Sequence, residues 1–282
     1  MKLSDESIDF VRQLVRQRTG VSLEADKGYL IESRLLELSR QEGAASLEQF
    51  VAKLRFGGAE DVRRKAVELV LNTETTFFRD FHVFEGFRTV GLPDLLRRRG
   101  GERRLNLWSA ACSTGQEPYS LAMILHPQME SLPGWSVRLL ASDFSSAALE
   151  YARAARYNQT EVNRGLPAAL LVRWFEQEGP TWMLRDEIRR RVEFQQINLA
   201  SPWPLREAMD AIFLRNVLIY FDMEARREVL RRIRLNLRPD GYLFLGGTET
   251  IFHVDDGFEP VPMGRAVAYR LRPPAGGPAG RP

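Results

Sequence analysis

The sequence predicts an α/β fold preceded by an all-α leader, on three observations. Residues 1–71 carry apolar side chains at helical spacing, and residues beyond about 104 alternate short apolar strands with helices. The first of those strands then empties into a run of small residues. Strand–helix alternation is the signature of a parallel sheet covered by helices, and 282 residues accommodate two modest domains.

In the leader, Ile8, Val11 and Val15 recur at i, i+3 and i+7, and Gly20 supplies a stop. A second helix is expected from about Lys27 to Arg40, with Leu35, Leu36 and Leu38 available for burial, and Gly43 follows it. Ser46 and Gln49 have capping-box spacing, so a third helix carrying Phe50, Val51 and Leu54 should start there. A fourth, near Asp61 to Leu71, offers Val62, Ala66, Leu69 and Val70. This domain, 1–71, shows no chemistry of its own.

In the second domain, 72–272, Leu105 to Trp108 is the first strand, and a helix begins near Pro118. Val137 to Ala141 is the second strand, ending at Asp143, with a helix through Ala147 to Ala154. Val192 to Ile197 and Ala211 to Leu214 are the third and fourth. Asp222 can cap a helix from Met223 to Asn236, after which Pro239-Asp240-Gly241 turns the chain into the strand Tyr242 to Leu245. Ala266 to Leu271 closes the sheet, and the Pro/Gly-rich tail, 273–282, is expected to be disordered.

Composition is that of a globular protein, with 44% hydrophobic and 27% charged residues. No apolar run approaches the ~18 residues a membrane span needs. Asp5, Glu6 and Asp9 interrupt any signal-peptide core. One cysteine cannot form an internal disulfide, so a cytoplasmic location is expected. Arg97, Arg98, Arg99, Arg103 and Arg104 read as a solvated helix end and loop rather than a nucleic-acid face. Three histidines without ligand spacing give no metal site.

Ligands of open α/β sheets sit beyond the carboxyl ends of the strands. There the first strand leads into Ser109-Ala110-Ala111-Cys112-Ser113-Thr114-Gly115, small enough for a ligand to approach the backbone. Asp143 ends the second strand, where a carboxylate can accept both ribose hydroxyls, and Asn198 follows the third, where an amide can read an adenine edge. The loop lacks the dinucleotide glycine fingerprint and places Glu117 at the start of the next helix. A carboxylate there repels a pyrophosphate but suits a ligand with a positive amino group, which favours S-adenosylmethionine.

Four segments resemble the CheR family of chemotaxis receptor methyltransferases: Asn72 to Asp80 (NTETTFFRD), Trp108 to Ser120 (WSAACSTGQEPYS), Ala141-Ser142-Asp143, and Arg215 to Phe221 (RNVLIYF). The resemblance implies a Rossmann-like class I methyltransferase domain with a small antiparallel β subdomain inserted at about 174–190, behind the all-α leader. It implies cofactor contacts at Thr75, Arg79, Glu117, Asp143, Asn198, Leu199, Arg215 and Asn216, with Arg79 and Tyr220 bordering the transferring methyl group. It departs from the family at Thr73, where Asn is usual. Asn72 is displaced by one, and the Thr73 hydroxyl is expected to substitute.

The activity so implied is esterification of receptor glutamates by S-adenosylmethionine, releasing S-adenosylhomocysteine, with no metal. The partner implied is the cytoplasmic helical domain of a chemotaxis receptor. Glu178 to Thr181 is shorter than in family members that dock on a receptor's C-terminal pentapeptide, so docking is expected to be pentapeptide-independent and the enzyme a monomer without membrane insertion. Arg12, Arg16 and Arg34 are candidates for a receptor-facing surface, although the leader carries twelve acidic and twelve basic residues. Another methyl acceptor, a small molecule or RNA, and a cofactor-binding regulator without turnover are the rival readings.

Overall fold

The computed structural model describes residues 2–205 and 207–273. Four helices build the leader: α1 (Asp5–Thr19), α2 (Gly28–Gln41), α3 (Leu47–Phe56) and α4 (Glu60–Val70). The Ser4 side chain accepts the Ser7 N–H to start α1, and Gly20, left-handed at φ 73°, ends it by donating to Arg16 O. Ser46 caps α3 through the Gln49 N–H, whereas the Gln49 side chain accepts from Ala45 rather than closing the box on Ser46. Val15, Leu35, Phe50, Leu54 and Val67 form a core of their own. Leu36 and Leu69, expected to be buried, are 42% and 44% exposed. Each lies about 100° around its helix from a buried neighbour, Leu35 or Val70.

Residues 81–98 are helical, of which the sequence reading anticipated only the end near Arg97. Helix α5 (Phe81–Gly86) passes through a π turn at 87–91 into α6 (Leu92–Arg98). Gly86 and Gly91 look like helix breakers, yet close packing requires at least the first. A Cβ on Gly86 would stand 2.4 Å from Met263 O.

The second domain contains β1 (Arg104–Ala110), α7 (Gln116–Glu130), β2 (Ser136–Asp143), α8 (Ser146–Ala154), β3 (Arg156–Asn158), α9 (Gln159–Asn163) and α10 (Ala168–Trp174). It continues with β4 (Phe175–Glu178), β5 (Thr181–Leu184), α11 (Asp186–Arg189), β6 (Val192–Gln196), β7 (Met209–Leu214), α12 (Met223–Asn236), β8 (Leu237–Phe244), β9 (Phe258–Met263) and β10 (Ala266–Leu271). The seven-stranded sheet has the order β6-β2-β1-β7-β8-β10-β9. Its first five strands are parallel, and β10 runs antiparallel to both neighbours. This is the Rossmann-like α/β architecture expected.

Period-two alternation splits the core. Leu107, Phe213 and Phe244 face one side with Phe87 and Tyr119, while Trp108, Ile212 and Leu243 face the other with Leu230 and Ile233. Order reverses between β1 and β7, so a crevice opens beyond their carboxyl ends.

Three details correct the expectations. Pro239-Asp240-Gly241 does not precede the fifth parallel strand but lies within it. The β7–β8 register runs from Met209↔Leu237 to Ala211↔Tyr242, so the strand bulges at these residues. Strand β9 went unread. The antiparallel subdomain, β3-β5-β4, recruits β3 from 156–158 and so reaches outside 174–190.

The arginine cluster is also not simply solvated. Arg99 is 5% exposed, with Nε donating to Asp210 at 2.6 Å and Nη1 to Asp240 at 2.8 Å. Arg97, Arg98 and Arg104 pair with Asp94, Asp94 and Glu207. No helix among the described residues is long and apolar enough to cross a membrane. Of the tail, residues 274–282 lie outside the described residues.

Candidate functional site

The loop after β1 is held in a conformation few side chains tolerate. Ala111, Ser113 and Gly115 all have positive φ, at 56°, 51° and 95°. At Gly115 a Cβ would meet Ala152 Cβ at 2.9 Å and the Tyr157 hydroxyl at 3.1 Å, so only glycine fits. The turn aims the Ser113 N–H at Asp143 Oδ2, 2.8 Å away, while the Ser145 N–H takes Oδ1 at 2.9 Å. Each carboxylate oxygen is thereby fixed by one backbone N–H at the cavity. Burial pushes the Asp143 carboxyl up, and the N–H groups of Ser145, Ser113 and Phe144 work against that.

Glu117, in the first turn of α7, is buried and accepts from the Ser109 hydroxyl at 2.7 Å and from Arg215 Nη1 at 2.8 Å. Burial raises its pKa, opposed by the Arg215 charge. The Arg215 side chain, 1% exposed, reaches on to Asp80 Oδ2 at 3.1 Å and to Arg79 O. One guanidinium thus ties the start of α7 to the Arg79 turn, and its Nε has no partner among the described residues.

Arg79 sits between two left-handed residues, Phe78 at φ 48° and Asp80 at φ 54°. Each such conformation costs on the order of 1–2 kcal/mol for an L-residue. The Phe78 N–H is held by the Ser120 hydroxyl at 3.0 Å, and Asp80 Oδ2 accepts the Gly247 N–H at 2.9 Å. Burial works to raise the Asp80 pKa, but the Gly247 N–H and the Arg215 charge hold it below its usual value. Arg79 Nη1 donates to Glu74 O at 3.1 Å.

Asn216 is left-handed too, at φ 56°, and its N–H donates to Glu249 Oε2 at 2.6 Å. The same oxygen accepts the Gly246 N–H at 2.8 Å, so Glu249 joins the loops after β7 and β8.

Every residue expected at the site lines one cavity of about 300 Å³: Thr73, Thr75, Arg79, Glu117, Asp143, Asn198, Leu199, Arg215, Asn216 and Tyr220. Two of them differ from expectation in what their atoms do. The Asn198 amide donates to Arg18 O at 2.6 Å and accepts the Ala200 N–H at 2.9 Å, so it joins α1 to the sheet and retains one N–H and one lone pair for a ligand. Thr73 contributes its carbonyl, which accepts the Ser113 hydroxyl at 2.6 Å.

The leader does more than precede the site. Thr19, Leu23, Ile31 and Arg34 form part of the cavity wall. The last turn of α1 and the segment after it are laced to the 220–222 loop by Arg16 to Asp222 at 2.7 Å, the Val21↔Phe221 bridge, and Ser22 N–H to Tyr220 O at 2.7 Å. From α4, buried Glu68 accepts from the Ser145 and Ser146 hydroxyls at the start of α8, where an acidic group suits the helix dipole. Arg12 pairs with Asp9, and Arg34 donates to the Val70 and Leu71 carbonyls. With Arg16 on Asp222, each of these three arginines has a partner within the chain.

Sequence reading missed Glu68 and Glu249, which carry no local signal, and gave no role to Asn72 or Asp80, although both stand in the motif shared with Arg79.

The chain is similar to known proteins along nearly its whole length. A relative from Pseudomonas aeruginosa, Chemotaxis protein methyltransferase 1, is 36% identical over 96% of this chain and 100% of its own length. The Chemotaxis protein methyltransferase of Escherichia coli is 35% identical over 92% of this chain and 89% of its own. Residues 6–71 match the all-alpha domain of CheR methyltransferases and residues 73–267 match their SAM binding domain. The chain therefore belongs to the CheR methyltransferase family.

Proposed function

We propose that this protein transfers the methyl group of S-adenosylmethionine to glutamate side chains of methyl-accepting chemotaxis receptors, leaving S-adenosylhomocysteine. The observation that carries the reading is the line of groups along the cavity. Asp143 offers two acceptors for ribose hydroxyls, Glu117 a carboxylate for the cofactor's amino group, and Arg79 and Tyr220 stand at the same cavity. The relatives' names add chemotaxis. The residues fit S-adenosylmethionine better than a dinucleotide, because the buried Glu117 carboxylate stands where a pyrophosphate would need positive charge.

Bound there, the cofactor supplies an electrophilic methyl on a sulfonium. A glutamate side chain, with an ordinary pKa near ~4.3, arrives ionised at neutral pH. A carboxylate oxygen forms the new C–O bond as the C–S bond breaks, and the electron pair leaves on a neutral thioether. No proton moves, so no general base is needed, and the ~10²- to 10⁴-fold such a base gives is not forgone. Alignment can supply on the order of 7–11 kcal/mol. Arg79 orients one carboxylate oxygen, leaving the other free to attack, and Tyr220 donates to the acceptor.

Incubation with labelled cofactor and a purified receptor cytoplasmic fragment tests this. Label released by mild base as methanol is expected, and base-stable label on protein, RNA or a small molecule would point to a rival acceptor. Cofactor binding with no transfer at all would favour a regulator. The tight β4–β5 turn, with Gly179 at φ 61°, supports docking independent of a receptor tail. Specific binding of a receptor-tail pentapeptide would overturn that part. The protein is proposed to act as a cytoplasmic monomer.

A further inference from the structure

We propose that Asn72 is a positioning residue for the transfer, its amide fixing the Tyr220 hydroxyl so that the phenol proton points at the acceptor carboxylate. This rests on the reading that Tyr220 borders the reacting methyl group. Asn72 Nδ2 donates to Tyr220 Oη at 2.7 Å, joining residues 148 positions apart. The amide orientation is set independently, because Asn72 Oδ1 accepts the Glu74 N–H at 3.2 Å and a backbone N–H must face the oxygen. The other end of Tyr220 is held as well, its carbonyl accepting the Ser22 N–H at 2.7 Å.

Arg79 is anchored by the same short segment. Its Nη1 donates to Glu74 O at 3.1 Å, while the Glu74 carboxylate is tied to Arg164 Nη2 at 2.6 Å. Residues 72–74 thus hold both groups proposed to contact the substrate, and Asn72, Arg79 and Tyr220 line one cavity.

The consequence is one of polarity. A phenol has one proton and can accept hydrogen bonds at its oxygen. With the Asn72 N–H on that oxygen, and the amide oxygen turned to Glu74, the phenol proton finds no acceptor on Asn72. It is left for an acceptor-only group in the cavity, which is what an incoming carboxylate is. An aspartate at 72 would invert the arrangement by accepting the phenol proton itself, whereas alanine would merely release the hydroxyl.

The test compares full-length wild type with Asn72→Ala, Asn72→Asp, Tyr220→Phe and the Asn72→Ala/Tyr220→Phe double variant. Methyl transfer to a receptor cytoplasmic fragment gives kcat and KM, and tyrosine labelled with 13C at Cζ reports the phenol directly. Asn72→Ala is expected to lower kcat about threefold to tenfold. The cofactor KM should move by less than about twofold. Asn72→Asp should lose more than Asn72→Ala, and in the Tyr220→Phe background Asn72→Ala should cost nothing further. The Tyr220 Cζ resonance, assigned by its loss in Tyr220→Phe, should shift in Asn72→Ala. An equal loss of kcat in both backgrounds, or a resonance that does not move, would overturn the proposal. Wild type that esterifies no glutamate would remove the underlying reading and the positioning role with it, a result distinguished by the resonance still reporting the bond.

Discussion

The roles proposed for Arg79 and Glu117 differ, and substitution should separate them. Arg79 lies in a turn whose shape is imposed by Phe78 and Asp80 and by their partners Ser120, Gly247 and Arg215. Arg79→Ala should therefore leave the melting temperature near wild type while lowering kcat on the order of 10²-fold, as loss of one well-placed transition-state donor does. Unchanged turnover would remove Arg79 from the mechanism.

Glu117 is proposed to meet the cofactor's positive amino group. Its carboxyl is raised by burial, so binding of S-adenosylhomocysteine should weaken as pH falls, beginning above the ordinary carboxylate range. Calorimetry across pH reads this, and Glu117→Gln should flatten the pH dependence at a lower affinity. A steep profile retained in Glu117→Gln would assign it to another group.

Among the elements, the strap after α1 carries the clearest consequence. Gly20 is left-handed, and a Cβ there would stand 3.0 Å from the Phe221 ring. Gly20→Ala should thus disturb the pairing of Val21 with Phe221 and loosen one wall of the cavity. Faster release of S-adenosylhomocysteine in stopped flow is expected, with destabilisation of about 1 kcal/mol or more. An unaltered off-rate would mean that the strap does not gate the cavity.

How legible each element was depended on what sets it. Helix α12 was readable to the residue because its cap, Asp222 accepting the Ala225 N–H, is local. Strands β1 and β2 and the loop between Ser109 and Gly115 were readable because small residues and a terminal carboxylate follow each other in sequence. The helical stretch 81–98 was not, since its glycines answer to Met263 and Phe244, remote in the chain.

For the whole molecule, the site is assembled from long-range ties that no local pattern encodes. The Asn198 bond to Arg18 spans 180 positions, and the Arg16 bond to Asp222 spans 206. They explain why motif positions told which residues line the cavity but not which atoms remain free.

At the opposite end of the sheet, Arg99 binds Asp210 and Asp240 and fastens α6 to β7 and β8. The Arg99 guanidinium holds Asp240 down at about 2, below its usual value. A depressed carboxylate stabilises the fold above its unfolded pKa and loses that contribution as pH falls through the folded one. Asp240→Asn should accordingly unfold more readily at pH 7, and the gap from wild type should shrink between about pH 4 and pH 2 in denaturant titrations. A gap independent of pH would place the effect elsewhere.

The central claim is that a carboxylate attacks a methyl group held at this cavity. Peptide mapping by mass spectrometry, of a receptor cytoplasmic fragment incubated with cofactor and enzyme, tests it most directly. Methyl groups on glutamate side chains, lost on mild base treatment and formed far more slowly with Arg79→Ala, are the result expected. Methylation confined to other residue types, or undiminished with Arg79→Ala, would contradict it.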